Sequence, residues 1–315
     1  MATNSGQALI LADGPLAIEG LTFWRRSNRL AFSPLISVQA GSLHLLNCRV
    51  GRTPRQGEDP LVRDGLRVGA EEDFPADRPI IMVSPGSTVR LQNCVLVGQR
   101  GTGLGLLNTS REAIRVETDN SLFVIHRAFA LRPRTGTPVE LRAMRSVFVT
   151  AALLDVNDAE ALGTTTVMWE DCFLDFKGGV LLRVSEHGDG TWMRAMTWRE
   201  TNVVYAADGT FLSDQRGGQI VSETRWNGAL RLATNSHQLT DHDVFVHARQ
   251  RSSQSLRASD LDLIDTRDAA GGGHGFEAER VGEGETYESF RRTAEYRAWQ
   301  RNTRIAMSAW KALRP

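Results

Sequence analysis

Lysine is nearly missing from this 315-residue chain: among 37 basic residues only Lys177 and Lys311 are lysines. That scarcity removes the kinase and nucleotide-hydrolase readings, whose phosphate sites need an ammonium at a fixed place. Gly101-Thr-Gly-Leu-Gly105 has the glycines of a phosphate cradle, but no lysine follows it, so it reads as a flexible turn. Charge of one sign is lacking too. The 37 basic residues balance 37 acidic ones and are scattered, so no field favours nucleic acid or an anionic membrane. No apolar run approaches the length of a membrane-spanning helix, and Met1 to Gln7 lacks the basic start and apolar run of a signal peptide. Cysteine is scarce and odd in number. Cys48, Cys94 and Cys172 do not stand at metal-ligand spacings, which makes them core thiols, with a Cys48 to Cys94 bridge as the alternative.

What the chain has instead is a short apolar pattern that recurs. It is plainest in Leu43-His-Leu-Leu-Asn-Cys-Arg-Val50 and Val89-Arg-Leu-Gln-Asn-Cys-Val-Leu96. The same frame fits Leu16 to Phe23 and Val167 to Leu174, and more loosely Leu122 to Phe129, Val147 to Leu154 and Met196 to Val203. Each copy reads as strand, corner, strand: a period of 2 turns alternate residues inward, and the corner resets the phase. Gly20, Asn47, Asn93 and Asp171 stand at the corners and are residue types that tolerate a left-handed backbone. Stacked in successive turns, they would form a ladder bonded to one another and to the backbone. Taking Leu21, Cys48, Cys94, Arg127, Ala152, Cys172 and Thr201 as equivalent inward positions gives repeats that cannot bury their apolar face alone. With no long helical period between them, the fold class expected is all-β, a right-handed parallel β-helix.

This solenoid is expected over residues 1–254, with a Pro-, Gly- and charge-rich surface loop near 51–79. Residues 255–281 read as a linker or strap, and 282–315 as a helical tail whose Tyr287, Phe290, Tyr296, Trp299 and Trp310 pack back onto the solenoid. Leu9-Ile-Leu11 already looks like a strand with no helix before it to cover the first rung, which suggests association through an uncapped N-terminal end.

Two segments carry a resemblance. Gly14-Pro-Leu-Ala-Ile-Glu-Gly-Leu-Thr-Phe23 and Ile36 to Cys48 resemble the right-handed parallel β-helix, or pectin-lyase-like, repeats of large bacterial proteins. Arg280 to Trp299 resembles the closing segment of β-helix regions in planctomycete proteins, often downstream of a serine/threonine kinase domain. The resemblance implies a fold and a recognition module without an assigned ligand; this chain departs from it in having no kinase domain.

Functional expectations follow from the same register. Asp155 and Asp175 each fall three residues after an inward position in consecutive rungs, so they would stand side by side on the outer face. Such a pair could act as acid and base, as in a polysaccharide lyase or glycoside hydrolase, or hold calcium with Asp158 or Asp171. Trp24, Trp192 and Trp226 read as exposed aromatic faces for stacking on sugar rings, whereas Trp169 and Trp198 should be core. An outward apolar row of Phe123, Phe148 and Met168 would offer a strip for the tail to cover. His237, His242 and His247 are spaced by five, which suits neither a strand side nor a helix face, so no metal site is expected there. Together these favour a non-catalytic recognition or scaffold module for a polysaccharide or protein partner, with the paired-aspartate enzyme second. No resident cofactor is expected, calcium aside, and no nucleic acid or membrane insertion.

Overall fold

A period-2 apolar pattern with a corner every few residues cannot close on itself within one coil, so each coil must stack on the next. The computed structural model describes residues 8–26, 33–53, 79–133, 136–157, 159–176, 179–185, 192–206, 209–214, 219–220, 237–240, 276–277, 280–282 and 301. It forms a parallel β-solenoid of about six turns.

The first coils run β1 (Ile10–Ala12), β2 (Leu16–Glu19), β3 (Thr22–Arg26), then β4 (Ile36–Val38), β5 (Gly41–Leu46) and β6 (Arg49–Thr53). There follow β7 (Pro79–Val83), β8 (Ser87–Gln92), β9 (Val95–Asn108), β10 (Ile114–Asp119), β11 (Leu122–Pro133), β12 (Val139–Met144) and β13 (Val147–Asn157). The last turns hold β14 (Thr165–Glu170), β15 (Phe173–Asp175), β16 (Val180–Ser185), a one-turn helix α1 (Trp192–Ala195), β17 (Met196–Thr201), β18 (Val203–Ala206), β19 (Thr210–Asp214), β20 (Gln219–Ile220) and β21 (His237–Thr240). Gly51 to Thr53 close β6 and Pro79 opens β7; residues 54–78, most of the span where a surface loop is expected, lie outside the described residues. Of residues 282–315, where a helical tail is expected, only Gly282 and Arg301 are described.

Three faces result. The first is a seven-stranded parallel sheet of β2, β5, β8, β10, β12, β14 and β17. The second takes β3, β6, β15, β18 and the leading halves of β9, β11 and β13; the third takes β1, β4, β7, β16, β19 and their trailing halves. Those three long strands round the corner between two faces without breaking, with a register shift between Ile125 and Arg127.

Inward side chains stack in unbroken rows. On the first face Leu16, Leu43, Val89, Val116, Leu141, Val167 and Trp198 lie in register, and on the second Phe23, Val50, Leu96, Phe123, Phe148, Leu174 and Tyr205. Phe123 and Phe148 are fully buried and stacked at 4.6 Å between ring centroids, not outward, and Met168 belongs to another face, beside Arg142. Trp169 and Trp198 are both core, 1% exposed.

The corner between the first and second faces carries the left-handed residues. Gly20, Asn47, Asn93, Asn120, Arg145, Asp171 and Asn202 all have φ between 45° and 68°. Asparagine and aspartate accept this region at low cost; Arg145 is held there by two bonds to Asp119, at 2.9 and 2.5 Å. The four corners expected from sequence are all present. In the fourth and fifth copies, however, the inward residue after the corner is Ser121 and Ser146, six positions before Arg127 and Ala152, and in the last it is Val203 rather than Thr201. β11 and β13 are buried on both sides, so alternation no longer marks a face and the register slid unnoticed.

Residues following the corner form a second ladder inside it. Cys48, Cys94, Ser121, Ser146 and Cys172 each donate to the carbonyl two residues back, at 2.7 to 3.3 Å. All but Ser146 also reach a carbonyl one coil earlier, at 3.3 to 3.5 Å. The three cysteines are buried and unbridged. Burial pushes the Cys172 thiol up to about 12 and the Cys94 thiol well above its ordinary value.

Candidate functional site

The slipped register changes where the two aspartates lie. Asp155 pairs with Ala130 and Arg183 on the third face, whereas Asp175 pairs with Val149 and Ala206 on the second. They are not neighbours and do not form a dyad. Neither is open: Asp155 is 2% exposed and Asp175 3%. Arg127 Nε lies 2.9 Å from Asp155 Oδ2, a charge pair taken out of water, and Asp175 is engaged as well. Asp158 falls outside the described residues.

Of the three tryptophans expected to face a ligand, only the side chain of Trp192 is described. Trp192 opens α1 and is 2% exposed, packed as the chain enters β17, so it cannot stack on a ligand. Trp24 is a backbone position of β3 whose side chain falls outside the described residues, as does all of Trp226. Among the described residues no three His, Cys, Asp or Glu side chains converge to hold a metal.

One buried carboxylate went unseen in the sequence. Glu200 points into the lumen with zero exposure, and its Oε1 accepts hydrogen bonds from Trp198 Nε1 and Tyr205 OH. The alternation Met196-Thr-Trp-Arg-Glu200 places Glu200 on the side of Trp198; only the inward position assumed at Thr201 hid it. Sealed inside the coil, it holds aromatic donors and meets no substrate.

The outer faces differ sharply. On the second face the outward row Val95, Leu122, Val147, Phe173 and Val204 is buried, 0 to 4% exposed, although it lies outside the contiguous core. A covered apolar row is not an open groove. On the third face Met82, Gly105, Ala130 and Arg132 line a shallow, mostly apolar depression of about 250 Å³, too plain to orient a substrate.

The first face is open and charged. Arg90 pairs with Glu117 at 2.7 Å, Arg115 with Glu140 at 3.2 Å and Arg142 with Glu170 at 3.1 Å, each pair bridging adjacent coils. All six side chains are between 42% and 61% exposed. Stacking at about 4.8 Å brings opposite charges on neighbouring coils within reach, and arginine's fork suits the task. The pairs contribute little to stability in water, but they present a rigid, regular surface.

No family model, curated protein or solved structure matches this chain.

Proposed function

We propose that this solenoid is a non-catalytic recognition or scaffold module that holds its partner along the exterior of the first face. The observation that carries this reading is the exposed Arg–Glu ladder, a repeating charged surface on a rigid sheet. Its partner carries complementary charge: an acidic polysaccharide or a charged protein segment whose groups exchange with the ladder's own pairs. Stacking on tryptophan contributes nothing at Trp192, so sugar recognition would rest on guanidinium contacts to carboxylates. The pectin-lyase-like and planctomycete resemblance belongs to the same proposal. The enzyme reading is weakened because Asp155 and Asp175 occupy different faces and are both buried.

A second contact belongs to the N-terminal end. Leu9, Leu11 and Leu21 are 67%, 54% and 50% exposed, and the inward Leu16 and Ile18 of the edge strand β2 are only half-buried. We propose association there through this sheet edge, which pairs with no further strand among the described residues. Sedimentation should show concentration-dependent assembly that Leu9→Lys/Leu11→Glu removes; a monomer at all concentrations would reject it.

The deciding experiment for the first face is a screen of acidic polysaccharides and a glycan array, with and without calcium, scoring binding and product release. Wild type is compared with Arg90→Ala/Arg142→Ala and Asp155→Ala/Asp175→Ala. Salt-sensitive binding without turnover, weakened at least about tenfold in the arginine variant, supports the module. Product release that disappears in the aspartate variant would establish an enzyme instead.

A further inference from the structure

The left-handed corner is more than a turn, because the C-terminal part of the chain returns to it. Asn120 applies both ends of its side-chain amide to the main chain of Glu277: the Glu277 N–H donates to Oδ1 at 2.7 Å, and Nδ2 donates to the Glu277 carbonyl at 3.2 Å. Asn120 Nδ2 also donates to Asn93 Oδ1 at 2.8 Å, which locks the amide's orientation. One coil earlier, the Gly282 N–H donates to the Asn93 carbonyl at 2.8 Å. Gly282 has φ +105°, a conformation side chains rarely adopt, and a Cβ there would stand 3.6 Å from Val95 Cγ2. Of the strap's described residues Glu277 and Gly282 are thus bonded to the corner ladder, with Arg280 Nε closing a turn onto Glu277 at 2.6 Å. The hydrogen bonds to Asp119 raise the Arg145 guanidinium above its ordinary value, and the charges of Asp119 and Glu277 add to the shift.

We propose that the asparagine corner is a docking site for a main-chain segment, and that its resident occupant is this chain's own strap, seated through Glu277 and Gly282. A side-chain amide offering one acceptor and one donor to the same residue reads a backbone as a neighbouring strand would, whatever the side chain. The corner can take a peptide from elsewhere only when the strap leaves. Gly282 also stands beside Val95, at the start of the buried outward row on the second face. This docking stands apart from the first-face reading, which uses other residues and another surface.

Hydrogen exchange on the full chain tests it. In wild type the amides of Glu277 and Gly282 exchange slowly. Asn120→Ala should speed Gly282 exchange at least about tenfold while Val116 and Val147 in the core strands keep their protection. Glu277→Pro removes the donor to Asn120 from the strap side, leaves the solenoid's own residues unchanged and should act alike. A labelled peptide copying residues 274–283, used up to millimolar because the strap competes intramolecularly, should bind the Glu277→Pro chain and not the wild type. Unchanged Gly282 exchange in both variants overturns the docking, as does a Glu277→Pro chain that does not take the peptide.

Discussion

Replacing Cys94 separates the ladder chemistry from simple packing. Cys94 Sγ lies 3.3 Å from the carbonyls of both Leu45 and Gln92, and in the next coil Ser121 Oγ lies 2.9 Å from Asp119 O and 3.4 Å from Leu91 O. The position therefore wants a small donor between two acceptors. Cys94→Ser keeps the donor and should cost about 1 kcal/mol or less. Cys94→Ala leaves the carbonyls without it and should cost about 1–3 kcal/mol. Cys94→Asp sets a carboxylate against two acceptors with no exposure to water, and should cost about 3–5 kcal/mol at neutral pH. Burial raises that aspartate's folded pKa above its unfolded value near about 4. The penalty is then least below pH about 4, where the protonated acid can donate, and grows as pH rises towards the folded pKa. Urea midpoints at pH 4 and pH 8, each referred to wild type at the same pH and read with the slope, measure it. An aspartate variant within about 1 kcal/mol of wild type at pH 8, or a serine variant as damaged as the aspartate one, would refute the reasoning.

Phe148→Ala should lose about 3–5 kcal/mol by denaturation, since the ring is buried against Phe123, Phe129 and Trp169; a loss under about 1 kcal/mol would restore its outward placement. Asp155→Asn removes a buried counter-charge of Arg127 and should lower the melting midpoint by the equivalent of about 2–4 kcal/mol. Cys172 should resist iodoacetamide at pH 8 until the chain is unfolded. Because its folded pKa, about 12, exceeds the unfolded value of 9.0, its neutral thiol adds stability below pH 9 that is lost as pH rises towards 12, which melts across that window should show.

The sequence by itself determined the kind of fold. Period-2 runs broken by Gly20, Asn47, Asn93 and Asp171 admit a stacked coil and little else, because those residues bear a left-handed corner and the flanking apolar pairs need a neighbour to cover them. Local geometry also placed the three cysteines, Trp169 and Trp198 inside. Tertiary structure decided the register of β11 and β13. Strands covered on both sides carry no alternation, so Asn120 and Arg145 were invisible as corners and Arg127 stood in for Ser121. From that six-residue slip came the side-by-side aspartates and the outward phenylalanines, since one misassigned corner shifts every downstream residue to the wrong position or face. The Arg–Glu ladder and the strap on Asn120 join residues from 25 to 157 positions apart, and no local pattern encodes which coil lies beside which.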